Sequence, residues 1–262
     1  MSGMGGVERG SSSSDLTVNS NSIYHVPLQF YFCRNPGLAL PLIALQYHEV
    51  KIILKHAYNT DQHKFNSNKL WCDYIYLDTD ERRRFAQVSH EYLIEQVQED
   101  SFGDDNQDYT NHTLNFNHPV KELIMCNMTK GGALGTGSDT IGNLKNIYSG
   151  SLSLKLVLNG SDRFKERDYR YFTRTQVYQH HSGVGGVKSN ARRPTAIYRD
   201  PHSLGQIADA IGVYSFALKP EEHQPSGTCN FSRIDSAQLQ KTSGTIRLSH
   251  IFAVNYNVLR IM

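Results

Sequence analysis

The chain has 262 residues, of which 39% are hydrophobic, 10% aromatic and 20% charged, enough apolar side chain for one sizeable core or two small ones and too much for general disorder. Its 27 Lys and Arg against 25 Asp and Glu leave a formal charge of +2, so no whole-chain field is available to hold a polyanion and nucleic acid is not an expected partner. The longest apolar run, Leu38 to Leu45, contains Pro41 and is too short to cross a bilayer, and the N-terminus lacks the basic-then-apolar pattern of a signal peptide, so a soluble intracellular chain without direct membrane insertion is expected.

Residues 1–22 are rich in Gly, Ser and Asn, with the run Ser11 to Ser14, and read as a flexible tail whose ordering entropy no apolar burial offsets. From Ile23 the dominant period is two, the mark of strands with one wet and one buried face. Val26, Leu28, Phe30 and Phe32 form one such strand and Val50, Ile52 and Leu54 another, separated by the turn Asn35-Pro36-Gly37; Leu70 to Asp78 reads as an aromatic-rich third. The pattern breaks at Thr79 to Gln87, where Thr79 or Asp80 can cap a short helix and Asp80 and Glu81 suit its positive end; residues 79–90 are expected to be a helical connector.

After the connector, Tyr92 to Gln98 and Leu114 to His118 read as strands on either side of the acidic loop Glu99 to Asp108. The clearest strand is Leu152, Leu154, Leu156 and Leu158, which runs into Asn159-Gly160, the strongest short hairpin signal, and so calls for a paired neighbour. Tyr214, Phe216 and Leu218 alternate, as do Phe252, Val254, Tyr256 and Val258; with Leu114, Phe116, Phe231 and the four leucines they are the predicted core. Short strands with Gly, Pro and Asn turns and almost no helical period predict an all-β sandwich or barrel.

None of the chemistry-bearing strings specifies a site. Gly131 to Ser138 is glycine-rich but lacks the Lys-Ser/Thr and following helix of a phosphate loop, and reads as an inter-strand loop. His180-His181 has no His-x-His or H-E-x-x-H partner, and neighbours on a strand face opposite ways, so surface histidines are expected. Cys229 with His223 reads as a core cysteine rather than a nucleophile, and Cys33, Cys72, Cys126 and Cys229, without C-x-x-C spacing, as reduced and mostly buried thiols. Lys188, Arg192, Arg193 and Arg199 lie in a polar stretch without an aromatic platform and read as a solvated loop. Sequons stand at Asn111, Asn127, Asn159 and Asn230, the last inside an expected strand. No paired carboxylates are spaced for acid/base work. The expectation is no catalytic, cofactor-binding or metal-binding residue.

Longer strings carry a resemblance. Tyr24 to Val50, with Val26-Pro27-Leu28 and Pro36 through Tyr47-His48-Glu49-Val50, is similar to the major capsid proteins of nucleocytoplasmic large DNA viruses of the phycodnavirus and iridovirus type. Asp73 to Thr79, Glu81 to Gln87 and His90 to Gln96 resemble that family's passage from first to second jelly roll. Leu114 to Pro119, Leu158-Asn159-Gly160 with Asp162-Arg163-Phe164, Tyr214 through Asp235 and Asn255 to Met262 resemble its second jelly roll. The resemblance implies a double jelly-roll subunit without enzymatic activity or cofactor, here one complete C-terminal jelly roll (91–262) plus the last strands of a preceding one (23–78).

It further implies homotrimeric capsomers packed against neighbouring capsomers or minor capsid proteins, in a virion assembled in the host cytoplasm. The tract Lys219 to Gly227 then reads as a shaped loop between strands. Three departures accompany the likeness. The strands that precede Tyr24 in the family are missing. Residues 187–210 form an insertion, either a surface decoration or translated non-coding sequence. Ser2-Gly3-Met4-Gly5-Gly6, which in the family follows Leu-Arg-Ile-Met, opens the chain, suggesting a permuted, tandem or misassembled frame. The alternatives are a cupin- or lectin-like jelly-roll module, which needs a His/Glu metal set or an aromatic sugar platform, or a capsid fragment that does not assemble.

Overall fold

The structure, a computed structural model, describes residues 27–53, 69–102, 110–126, 152–182, 211–244, 248 and 250–261. The expected tail, the glycine-rich stretch 131–138, the basic set at 188–199 and the 187–210 insertion lie outside the described residues. The chain divides into two units, one formed by Met1–Gln29 and Glu95–Asn257, the other by Phe30–Ile94 and Val258–Met262.

The larger unit is built on two antiparallel sheets. The first has the order β1 (His90–Ser101), β10 (His250–Ile261), β3 (Pro119–Cys126), β7 (Ile211–Ser215), with β8 (Cys229–Asn230) also paired to β3. The second has the order β2 (Asn111–Thr113), β9 (Ala237–Ser243), β4 (Ser153–Leu158), β5 (Ser161–Asp162), with β6 (Arg167–Asp168) also paired to β4. Leu123, Met125, Ile251 and Ala253 of the first sheet and Leu154, Leu156, Ala237 and Leu239 of the second share one buried cluster with Leu114, Phe116, Tyr169, Phe172 and Phe231. Those apolar faces sealed against each other hold the sandwich together.

The strand with the strongest alternation folds as expected. Leu154 and Leu156 are almost wholly buried in β4, and Asn159 and Gly160 take φ of 49° and 76°, the left-handed pair that a tight two-residue hairpin requires. The paired neighbour is β5 on one side and β9 on the other. Asn159 Oδ1 also accepts the Asp235 and Ser236 N–H groups at 2.9 and 3.1 Å, fixing the turn to the start of β9.

Leu114 to His118 is not a strand. The ladder ends at Thr113 in the second sheet and resumes at Pro119 in the first, and the residues between cross the sandwich, turned by His118 at φ 66°. Leu114 and Phe116 are nonetheless buried, because a crossing chain can plug the core without pairing. The alternation at the C-terminus is out of phase with the core. Ile251 and Ala253 enter it, Val254 and Tyr256 are buried outside it, Phe252 is half-buried and Val258 is 61% exposed. A central strand covered on both faces carries no clean alternation. Leu218, three residues past the end of β7, is exposed, while Tyr214 and Phe216 pack against the core.

In the smaller unit the expected strands at 26–32, 50–54 and 70–78 are absent among the described residues. Tyr31–Arg34 forms a short helix, α1, followed by a 3₁₀ turn at Pro36–Leu38 whose Gly37 N–H is capped by Asn35 Oδ1 at 2.9 Å, and residues 69–78 form no helix or strand. Alternation makes a strand only where a partner accepts its backbone groups and a core takes its apolar face. Here Tyr47, Trp71 and Tyr76 are 80–92% exposed. The connector helix is present as α2 (Thr79–Gln87), but its cap is Asp78, whose carboxylate accepts the Glu81 N–H at 2.8 Å.

Candidate functional site

A bulge in β3 assembles a cluster of buried charged side chains among the described residues of the larger unit. The register places Glu122 opposite Val254 and Val120 opposite Asn255, so Lys121 is an extra residue without a partner on β10. Such a bulge turns two successive side chains to one face. Val120 and Leu123 enter the core, whereas Lys121 and Glu122 emerge together on the other face of the sheet. The Lys121 carbonyl accepts the N–H groups of Phe216 and Ala217 at 2.9 and 3.2 Å, which holds the bulge.

Lys121 Nζ lies 2.6 Å from Glu95 Oε1 of β1 and 5.4 Å from the ring centre of Tyr256 of β10, an ion pair with a cation–π contact. Both charged side chains are almost wholly withdrawn from water, a costly placement that pairing must compensate. The Tyr256 hydroxyl is buried without a hydrogen-bond partner, and burial, then the charges of Glu95 and Glu122, push its pKa up.

Glu122 faces His181. The chain reaches it through a helical stretch, a π turn at Tyr171–Thr175 continuing into α3 (Gln176–His180), anchored to β7 by Gln176, whose Oε1 accepts the Ser215 N–H at 3.0 Å. At the end of α3, His181 is extended, with Nε2 3.1 Å from Glu122 Oε2 and Nδ1 3.1 Å from Glu221 Oε1. Glu221 Oε2 accepts the Ser182 N–H at 3.0 Å, and His180 Nδ1–H donates to the Leu218 carbonyl at 3.0 Å. The contact with Glu122 raises the His181 pKa, against the opposing effect of burial and with help from Glu221; the hydrogen bonds from Ser182, then His181, lower that of Glu221.

His181 is therefore not the surface histidine expected from sequence, because it lies on a helix end over a sheet rather than on a strand. Only the spacing to Glu122 and Glu221 in space identifies it, and a chain read linearly carries no such signal. His223 is half-buried and no hydrogen bond joins it to Cys229, which pairs in β8 and packs against the core with its pKa raised by burial. Cys126 is buried too, its thiol pushed up to about 11 mainly by burial, but Cys33 and Cys72 are exposed, so the cysteines are not mostly buried. Asn111 is exposed on β2, Asn159 is exposed in its turn and Asn230 lies in β8, accepting the Ser232 N–H; Asn127 lies outside the described residues.

The Lys219 to Gly227 tract is a shaped loop, closed by Ser226 Oγ, which accepts the Lys219 N–H at 2.9 Å, and by the Lys219–Glu222 pair at 2.9 Å. Among the described residues no group of three or more His, Cys, Asp or Glu is placed to hold a metal ion. The charged groups of the cluster contact one another, Lys121 with Glu95 and His181 with Glu122 and Glu221, and the buried thiols stay protonated at neutral pH, an arrangement that fixes structure rather than activates a nucleophile.

A sandwich of this kind with its chemistry locked in internal pairs belongs to the class of jelly-roll building blocks. Residues 81–187 and 202–262 match the family described as large eukaryotic DNA virus major capsid protein, and residues 10–78 match major capsid protein N-terminus. The chain belongs to this family of capsid proteins, which are structural rather than enzymatic. It is 51% identical over 247 residues to a major capsid protein of Pyramimonas orientalis virus, covering 90% of this chain and 58% of that one. It is 38% identical over 310 residues to the major capsid protein of Paramecium bursaria Chlorella virus 1, covering 94% and 66%. The solved structure of PBCV-1 VP54, fitted into a reconstruction of the virophage Sputnik, matches at 35% identity with a TM-score of 0.61, covering 92% of this chain and 68% of that one. The chain thus spans 58–66% of the length of these two capsid-protein relatives.

Proposed function

We propose that the chain is a structural subunit of the icosahedral shell of a large DNA virus, self-associating as a homotrimeric capsomer that packs against neighbouring capsomers or minor capsid proteins, within virions assembled in the host cytoplasm. In this reading residues 23–78 correspond to the end of a first jelly roll, 79–90 to the connector and 91–262 to the second jelly roll with its insertion. The observation that carries it is the sandwich in which the buried charges Lys121 and Glu122 face Glu95 and His181 of the same chain, together with family membership over both matched segments. A protein built to pack rather than react leaves loops and sheet edges as its working surface.

A second reading, a copy that does not assemble, is favoured by the exposure of Tyr47, Trp71 and Tyr76, since apolar surface of that kind promotes association without closure. Size-exclusion chromatography with light scattering on the full chain separates the two. A monodisperse trimer supports the capsomer, and soluble polydisperse aggregate or a stable monomer refutes it.

A further inference from the structure

We propose that His181 is a proton-controlled clasp, which as an imidazolium ties Glu122 of β3 to Glu221 of the 219–227 loop and thereby fixes the chain at Ser182. The inference does not rest on the capsid reading, because it concerns the larger unit alone. Both ring nitrogens stand 3.1 Å from carboxylate oxygens of different elements. A neutral imidazole carries one N–H and must turn a lone pair toward the other carboxylate; only the doubly protonated ring faces both favourably.

The charged groups that face the ring are Glu122 from β3 and Glu221 from the loop. Further groups lie beyond them. Lys121, beside Glu122, is taken up by Glu95, while Tyr256 of β10 feels the charges of both glutamates, and Lys219 is paired with Glu222. From β7 the neighbouring contact is the uncharged Ser215 backbone held by Gln176. No second cation among these groups replaces the imidazolium when it loses its proton. What the clasp holds is specific, since Ser182 N–H donates to the carboxylate that His181 orients, and His180 bonds the carbonyl of Leu218 at the loop's entrance.

The sign follows from the direction of the shift. The clasp is fully present below the ordinary imidazole value of 6.5 and is lost as pH rises through the higher value of the folded state. The device is thus closed in acid and opens as the pH climbs past the raised value of the ring.

Hydrogen exchange of the full chain, followed by NMR between about pH 5.5 and 9 and corrected for intrinsic exchange, reads this directly. The protection of the Ser182 amide should drop about tenfold in one step, with the same midpoint as the His181 ring, above 6.5. In His181→Gln the step should vanish, and protection at pH 6 should already be at the low level; in Glu221→Gln the ring should titrate at lower pH than in the parent. Protection without a step, an equal step in His181→Gln, or a ring titrating at or below 6.5 overturns the proposal. The ring titration needs only the unmodified chain, so the proposal stays open to refutation should a variant fail to fold.

Discussion

Lys121 Nζ and Glu95 Oε1 meet at 2.6 Å with 2% and 7% of their side chains exposed, joining β3 to β1 across the intervening strand β10. The pair is almost wholly withdrawn from water, so removing one partner takes the ion-pair contact from a buried charge. Lys121→Met should destabilise the larger unit by about 3–5 kcal/mol in denaturant unfolding, while Lys121→Met with Glu95→Leu should recover most of the loss. A single-variant cost under about 1 kcal/mol would mean that water reaches Glu95.

Tyr256 offers the opposite case. Its ring supports Lys121 but its hydroxyl is buried with no partner, so the oxygen carries a desolvation cost with no return. Tyr256→Phe should leave stability unchanged or raise it by up to about 1 kcal/mol, whereas Tyr256→Leu, which also removes the cation–π contact, should lower it by roughly 0.5–2 kcal/mol. Thermal unfolding of the two variants side by side distinguishes the hydroxyl from the ring.

Gly212 in β7 is required by contact rather than by backbone conformation. A Cβ placed there would lie 2.7 Å from the Tyr169 hydroxyl and 2.9 Å from its Cζ, and Tyr169 is wholly buried. Gly212→Ala therefore overpacks the core and should cost about 1–3 kcal/mol. Pairing it with Tyr169→Phe, which removes the nearest atom, should restore part of that stability, a coupling that a double-mutant cycle measures.

What could be read from the chain is what local physics decides. The Leu152 to Leu158 alternation and Asn159-Gly160 are self-contained signals, and both appear in place. The family strings were equally legible, being long and specific. Illegible were properties set by distant partners. Phe252 and Ile251 are similarly apolar neighbours, and only the sheet's two covered faces decide that Ile251 enters the core and Phe252 does not. The strands expected at 26–32, 50–54 and 70–78 have the right alternation, yet among the described residues no strand pairs with them. Glu95, the adjacent pair Lys121 and Glu122, His181 and Glu221 stand far apart along the chain, so the charged cluster exists only once β1, β3, the end of α3 and the 219–227 loop are brought together.

Leu156 and Leu218 test that distinction on one residue type. Each belongs to an alternating apolar series, but Leu156 is 1% exposed between the sheets and Leu218 is 72% exposed beside the 219–227 loop. Leu156→Ala removes side-chain atoms from a sealed core that cannot fully collapse around the gap, and should cost about 2–5 kcal/mol. Leu218→Ala loses little burial, and because His180 bonds the Leu218 carbonyl rather than its side chain, the clasp region should be undisturbed, with a change within about 0.5 kcal/mol. Equal costs for the two variants would mean that Leu218 is covered in solution.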